Sequence, residues 1–221
     1  MDLAIIPGVL LAIMLIFGSS GQPPTSTGAP AKVVVLESFD DHPTLDVEIE
    51  SADETDYSVI YSFITKTYTR IPTEDAVIIS RSLVTYGTDL KIDPKFVAAL
   101  FSRESSFNKT AISSTGAKGL GQIKDFNFPS LKINDPFDID QNTRGSMTYI
   151  KQMLSLWKTE SKKTSLALAS YFRGYSTINK ANKKADAVTK NYVRDIILTY
   201  DTLKQMKATS LVAPNSNSGQ F

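Results

Sequence analysis

The sequence contains no cysteine and only one histidine, His42. The lack of cysteine excludes disulfides, thiol catalysis, thiolate metal sites and the acylated cysteine of a lipoprotein. A single histidine, followed here by Pro43, argues against a Ser-His-Asp triad and against a multi-histidine zinc site. Any chemistry must therefore come from carboxylates, hydroxyls, amides and backbone groups, and no metal or cofactor site is predicted.

An excess of one charge is also missing. The chain has 24 basic and 23 acidic residues, a net charge of +1, which does not favour a nucleic-acid partner. The two signs are nevertheless segregated, because the stretch 37–56 has only acidic charges and 158–194 is mainly basic. These stretches are typical of two solvated faces. Docking of one on the other, or contact with an anionic polymer, are the alternatives.

A long membrane-spanning run is absent as well. Residues 3–17 are almost wholly apolar but shorter than the roughly 20 residues that span a bilayer. Small residues follow this run, so we expect residues 1–20 to be a signal peptide or a short membrane anchor. Both interpretations place the rest of the chain outside the cytoplasm, in the periplasm or cell envelope. A buried helix or a partner-binding segment is the alternative.

The rest of the chain divides into three parts. Residues 21–56 are predicted to be a Pro/Gly/Ser/Thr-rich linker followed by an irregular acidic segment with short strands. Apolar residues at helical spacing predict a mainly α-helical domain over 57–207. Within it, Thr73 is expected to cap a helix that stops at Gly87, and Asp93-Pro94 to open the next one. Residues 208–221 are predicted to be a disordered tail.

Glu104 is the first candidate for chemistry. It lies four residues after Leu100, on the apolar stripe that Phe96 and Leu100 begin, near the end of the predicted helix. Burial and the negative end of the helix dipole both disfavour a charged carboxylate, so both should raise its pKa, as a general acid requires. A salt bridge between Glu104 and Arg103 or another base is the alternative.

A glycine-rich loop follows the Glu104 helix. It contains Gly116, Gly119 and Gly121, and Gln122 adds an amide beside it. Glycines let the backbone approach a bulky ligand and leave N–H and C=O groups to bind it. The amide suits hydroxyl and acetamido groups of a sugar. The loop lacks the Gly-Lys-Ser/Thr of a phosphate-binding P-loop.

These motifs, in this order, resemble the soluble lytic transglycosylase family, which has a goose-type lysozyme-like fold. The resemblance covers roughly residues 75–203. It rests on six segments: Tyr86-Gly87 with Asp93-Pro94, Glu104-Ser105-Ser106-Phe107, Gly116-Ala117-Lys118-Gly119-Leu120-Gly121-Gln122-Ile123, Asp135-Pro136 to Asn142, Ala169-Ser170-Tyr171, and Thr189 to Tyr192-Val193.

The resemblance implies a role for each site residue. Glu104 is the catalytic acid and base, and Ser105 helps to orient it. The substrate would be bound by Gly119, Leu120, Gly121, Gln122, Tyr171 and Tyr192. The chain departs from the family pattern at three places: Gly121 stands in place of a methionine, Phe172-Arg173 in place of Asn-Ala, and Val188 in place of a glutamate.

The resemblance also implies a reaction on peptidoglycan glycan strands. The bond between N-acetylmuramic acid and N-acetylglucosamine would be broken without water, leaving a 1,6-anhydro end, with no cofactor. Contact with the membrane would come only through the N-terminal segment, and assembly partners in the envelope are a further expectation. Two alternatives stay open: a hydrolytic muramidase on the same fold, and a non-catalytic peptidoglycan-binding component.

Overall fold

The computed structural model describes residues 54–206, and within them the chain is almost entirely helical. Its α-helices are α1 (Glu54–Thr67), α2 (Thr73–Leu90), α3 (Pro94–Ser105), α4 (Phe128–Leu131), α5 (Ile139–Leu156), α6 (Lys163–Arg173), α7 (Tyr175–Lys180) and α8 (Ala187–Gln205). A turn of 3-10 helix covers Asp125–Asn127. In this part of the chain, β structure is limited to isolated bridges that Lys118 makes with Ile112 and Ile123. The prediction of a mainly α fold is confirmed.

Helix α3 lies at the centre of the fold. Every residue from Pro94 to Phe101 is buried, so its first two turns have no solvent-facing side. The sequence predicted a single apolar stripe, but α1, α2 and α8 all pack on this helix. Their combined contacts cover the side that an amphipathic helix would expose.

Asp93 begins α3, as predicted. Its carboxylate accepts a hydrogen bond of 2.8 Å from the backbone N–H of Lys95 and another of 2.6 Å from the Tyr200 hydroxyl on α8. The buried Lys95 ammonium pairs with Asp56 on α1 and lies 3.8 Å from Asp93. The start of α3 is thus held to α1 and α8 by a buried polar cluster of opposite charges.

The predicted ends of α2 were wrong. Pro72, not Thr73, occupies the N-cap position, and no side chain caps this end. The helix also continues through Gly87 to Leu90 and ends where Lys91 adopts a left-handed conformation, φ 55°. Gly87 is required for a different reason: a Cβ there would lie 2.9 Å from the carbonyl oxygen of Ile92, so its absence allows the turn into α3 to pack closely.

Helix α1 begins at Glu54, three residues before the predicted start of the domain at residue 57. The predictions for residues 1–20, for the remainder of 21–56 and for 208–221 lie outside the described residues. Among residues 54–206, no helix is both long enough and apolar enough to cross a membrane.

Candidate active site

Glu104 lies in the last turn of α3, where the helix emerges from the core. The residue as a whole is half-buried. The hydroxyl of Tyr192, on α8, donates a hydrogen bond of 2.5 Å to Oε1 of Glu104. Because α3 and α8 pack side by side, two residues far apart in sequence form a single acid site.

Burial raises the pKa of Glu104 to about 7. Desolvation is the largest cause, and it is opposed by the hydrogen bond from Tyr192 and by the positive charge of Arg103. The alternative of a salt bridge between Glu104 and Arg103 was wrong. Arg103 instead pairs with Asp195, at 3.6 Å between Nε and Oδ2. A carboxyl with this pKa is substantially protonated near neutral pH, so it can act as a general acid.

Tyr192 is held in place by an aromatic and a cationic neighbour. Its ring is stacked on Phe172 at 4.4 Å between centroids and 13° between planes. The Arg103 guanidinium lies 5.5 Å from the centre of the Tyr192 ring. Burial and the nearby Glu104 charge raise the Tyr192 pKa well above its usual range, so the phenol stays a donor. Phe172, which replaces the family's asparagine, therefore supports Tyr192.

The glycine loop does not present free backbone groups at Gly121. The Gly121 N–H donates to the side chain of Asn142 at 2.9 Å, and its carbonyl accepts from the Tyr171 hydroxyl at 2.7 Å. The Gly119 N–H donates to the carbonyl of Ala111. These backbone groups of Gly119 and Gly121 therefore contribute to the folding of the loop, and binding of a ligand by the loop stays a prediction.

Gln122, Leu120 and Ser105 also have partners inside the protein. The Gln122 amide nitrogen donates to the carbonyls of Ala111 and Gly119, at 3.1 and 2.9 Å, which closes the loop. Leu120 is fully buried. The Ser105 hydroxyl donates to the carbonyl of Phe101, one turn earlier in α3, at 3.3 Å. The structure thus places these side chains in the framework around Glu104.

Tyr171 connects the loop to the acid. It lies on α6, is 8% exposed, and its ring is 5.1 Å from that of Tyr149 on α5. Burial raises its pKa well above the usual range, and the nearby charge of Glu104 adds to the effect. The phenol therefore stays protonated and can continue to donate to the Gly121 carbonyl.

Other parts of the surface do not extend this site. Between residues 54 and 206, no group of His, Cys, Asp and Glu side chains is arranged to hold a metal ion. An open depression of about 310 Å³ lies where α2, α4 and α5 meet, and it is lined by Tyr86, Asp89, Leu90, Ser130, Leu131, Lys132, Arg144 and Thr148. None of the predicted site residues is in that lining. Its Arg144 already donates to the carbonyls of Leu131 and Lys132.

The chain shares its central region with known proteins. The family model described as "Transglycosylase SLT domain" matches residues 84–193. Just under half of the chain, residues 84–193, is therefore similar to the transglycosylase SLT family. All the predicted site residues fall inside the matched range, which begins within α2 and ends within α8.

The chain is also similar to curated lytic murein transglycosylases. The chain is 37% identical over 101 residues to the membrane-bound lytic murein transglycosylase F of Pectobacterium atrosepticum, a match covering 44% of this chain and 21% of the relative. It is 30% identical over 138 residues to the protein of the same name from Desulfosudis oleivorans, covering 61% and 29%. The aligned region therefore spans less than a third of either relative.

A solved structure is also similar to the SLT domain. The 70 kDa soluble lytic transglycosylase of Escherichia coli superposes with a TM-score of 0.47 at 18% identity, covering 66% of this chain and 29% of that one.

Two residues of the SLT domain escaped the sequence analysis as site residues. Asn142 and Ser146, one turn apart on α5, are almost completely buried and contact the glycine loop. Asn142 was noticed only as part of a family motif. A polar residue within an apolar helix face was the available signal, since a buried amide or hydroxyl needs a hydrogen-bond partner.

Proposed function

We propose that this protein is a peptidoglycan lytic transglycosylase with Glu104 as its single acid and base. The observation that carries the proposal is the carboxyl of the half-buried Glu104, hydrogen-bonded to Tyr192, with a pKa of about 7 inside an SLT domain. A protonated carboxyl that a substrate can reach is what cleavage of a glycosidic bond requires.

In the first step, Glu104 gives its proton to the glycosidic oxygen as the bond to C1 of N-acetylmuramic acid breaks. The positive charge that develops on the sugar is oxocarbenium-like, and the substrate's own acetamido group stabilises it. The Tyr192 hydroxyl, at 2.5 Å, supports the carboxylate that Glu104 becomes. Tyr192 therefore orients the acid and limits the cost of leaving a charge in a desolvated place.

In the second step, Glu104 acts as a base. The muramic acid 6-hydroxyl attacks C1, a C–O bond forms, and its proton returns to Glu104. The 1,6-anhydro ring closes without water, and the enzyme regains its starting protonation state. A pKa near neutrality suits both steps, since the same group must give and then accept a proton.

The remaining site residues are proposed to shape the glycan groove. Gly119, Gly121 and Gln122 would border it as a folded loop, Leu120 would support that loop from the core, and Ser105 would stabilise the end of α3 beside the acid. Tyr171 would fix the loop against the site. These roles are supported by the hydrogen bonds that close the loop, tie it to Tyr171 and hold Ser105 at the end of α3.

Location and organisation complete the proposal. The relatives are named membrane-bound murein transglycosylases, and murein is the envelope polymer that would be the substrate here. We therefore place the protein in the cell envelope, with residues 1–20 as its signal peptide or anchor, an acidic linker after them, and residues 54–206 as the catalytic unit.

The decisive experiment is digestion of purified sacculi by the full chain, followed by mass spectrometry of the released muropeptides. Wild type should release 1,6-anhydro products, and Glu104→Gln should reduce the rate by about 100-fold or more, because the proton donor is lost. Glu74→Gln, at an exposed position of α2, is the matched control and should retain full activity.

Two outcomes would replace the proposal. Reducing-end products would identify a hydrolytic muramidase, in which water rather than the 6-hydroxyl attacks C1. Binding to sacculi with no turnover, unchanged in Glu104→Gln, would identify a non-catalytic component.

A further inference from the structure

Position 121 has no room for a side chain. A Cβ built on Gly121 would lie 2.0 Å from the hydroxyl oxygen of Ser146, 2.6 Å from its Cβ and 2.9 Å from the Tyr171 hydroxyl. Such distances are far inside van der Waals contact, and Ser146 belongs to a packed helix that cannot easily shift. The volume that a residue-121 side chain would fill is therefore occupied by Ser146 from α5.

Ser146 also belongs to the hydrogen-bond network that holds the Gly121 peptide. It is fully buried, and its hydroxyl donates to the Asn142 side-chain oxygen at 3.4 Å. The Tyr171 hydroxyl lies beside it, since the two oxygens are 2.0 and 2.9 Å from the point where a Cβ of residue 121 would lie. Asn142 accepts from the Gly121 N–H, while Tyr171 donates to the Gly121 carbonyl. Helices α5 and α6 thus both hydrogen-bond to the Gly121 peptide, through Asn142 and Tyr171, and Ser146 lies next to both of these side chains.

The same network reaches the acid. Tyr171 is close enough to Glu104 for the Glu104 charge to raise the Tyr171 pKa, and its hydroxyl donates to the Gly121 carbonyl. A shift of Gly121 or Tyr171 would therefore change both the groove and the surroundings of the carboxyl.

We propose that Ser146 is a positioning residue that takes the place of a residue-121 side chain and sets the glycine loop and Tyr171 against Glu104. This inference rests on the proposed function, since it assigns a role to Ser146 in the same site. It predicts that positions 121 and 146 are coupled: a side chain fits at position 121 only if position 146 has none.

The test is a double-mutant cycle in the full chain with Gly121→Ala, Ser146→Gly and the double variant, and kcat and KM for sacculi measured separately. Gly121→Ala should lower kcat/KM by about tenfold or more, because its Cβ displaces Ser146. The double variant should recover to within about threefold of Ser146→Gly alone, because glycine at 146 vacates the space. Ser155→Gly, exposed on the same helix, controls for glycine in α5 and should keep wild-type kcat and KM.

Multiplicative losses in the double variant would overturn the inference, since they would show that the two positions act independently. Ser146→Ala removes only the hydroxyl and should raise KM or lower kcat by about threefold, because the bond to Asn142 that helps to hold the Gly121 peptide is lost. Unchanged kcat and KM in Ser146→Ala would also overturn it. If Gly121→Ala fails to fold while the double variant folds, the coupling is shown by that rescue.

The same cycle can be read without turnover. Repeating it in the Glu104→Gln background, with co-sedimentation on sacculi as the readout, tests loop position through binding alone. Loss of binding in Gly121→Ala and recovery in the double variant would support the inference. Inactivity of the wild-type protein would count only against the proposed function. Equal binding by all variants would count against the inference.

Discussion

At the scale of single residues, the proposed function depends on the Glu104 carboxyl, whose surroundings raise its pKa. If Glu104 lay one turn further from the core, it would be an ordinary surface carboxylate. At the end of α3 it instead lies beside Tyr192, where desolvation outweighs both the hydrogen bond and the charge of Arg103. Each of these effects on the Glu104 pKa can be tested separately.

Removing the Tyr192 hydroxyl should shift the pH dependence of activity. The hydrogen bond from Tyr192 lowers the Glu104 pKa, so Tyr192→Phe should raise that pKa further. The high-pH limb of kcat/KM on sacculi should move to higher pH by about 0.5 to 1 unit, with a lower kcat, because the carboxylate formed in the reaction loses its donor. Tyr57→Phe, on α1, is the matched control. An unmoved limb in Tyr192→Phe would contradict the assignment.

Glu104 should also make stability depend on pH. Its folded pKa of about 7 lies above the unfolded value of about 4.3, so between these values the folded state holds a proton that the unfolded state has released. The free energy of unfolding should therefore fall as pH rises through this window. Glutamine has no such loss, so Glu104→Gln should be more stable than wild type above pH 7 by about 1 to 2 kcal/mol, after allowing for the partial exposure of the residue.

Denaturant unfolding at pH 5 and pH 8 measures this effect, with Glu74→Gln as the control. The advantage of Glu104→Gln over wild type should grow between the two pH values. If the difference in the free energy of unfolding between Glu104→Gln and wild type is equal at pH 5 and pH 8, the carboxyl is not appreciably desolvated.

At the scale of elements, the site depends on how α3 is anchored at the end opposite Glu104. Asp93 caps the helix, accepts from Tyr200 on α8 and lies beside the buried Lys95. The same α8 that holds Asp93 through Tyr200 holds Glu104 through Tyr192. The two tyrosines are eight positions apart, which places them on one face of α8.

Asp93→Ala should destabilise the fold more than loss of a cap alone. The substitution removes the cap, and it also removes a buried partner of the Tyr200 hydroxyl and of the Lys95 ammonium. We therefore expect the free energy of unfolding to fall by about 3 kcal/mol. Asp138→Ala removes a cap from α5, where the carboxylate accepts from the Gln141 N–H at 2.8 Å, and should cost only about 1 kcal/mol. Equal losses in chemical denaturation would show that the Asp93 cluster adds nothing to its cap.

At the scale of the whole molecule, the structural unit is larger than the family match. Residues 84–193 omit α1, the first half of α2 and the end of α8. The omitted parts contribute core residues: α1 supplies Ile60 and Ile64, and the end of α8 supplies Ile197, Tyr200 and Leu203. Without them, one side of α3 would face water.

A fragment of residues 54–206 should therefore fold cooperatively, whereas a fragment of residues 84–193 should not. The shorter piece loses several fully buried side chains, each of which contributes about 1.5 to 3 kcal/mol to stability. Their summed contribution is comparable to the total stability of a typical domain. Thermal unfolding followed by circular dichroism tests this. A sharp transition in the shorter fragment would show that α1 and the end of α8 are appendages.

The sequence alone was sufficient for the helical class, for the start of α3 at Asp93-Pro94, and for Glu104 as the candidate acid. These depend on local information: the spacing of apolar residues, a cap followed by proline, and a carboxyl on an apolar stripe. The family resemblance also came from the order of short motifs, and the family match confirms it. Helix ends were less predictable, because Gly87 serves the packing of α3 rather than the end of α2.

Only the tertiary structure decided what surrounds Glu104. The choice of Tyr192 over Arg103 as its partner depends on how α8 lies against α3, and no local pattern encodes that crossing. The same holds for the glycine loop, whose backbone groups are taken by Asn142 and Tyr171, and for Ser146 in the space beside Gly121. Hydrogen bonds and close contacts are satisfied between elements distant in sequence, so they become visible only when the helices are packed.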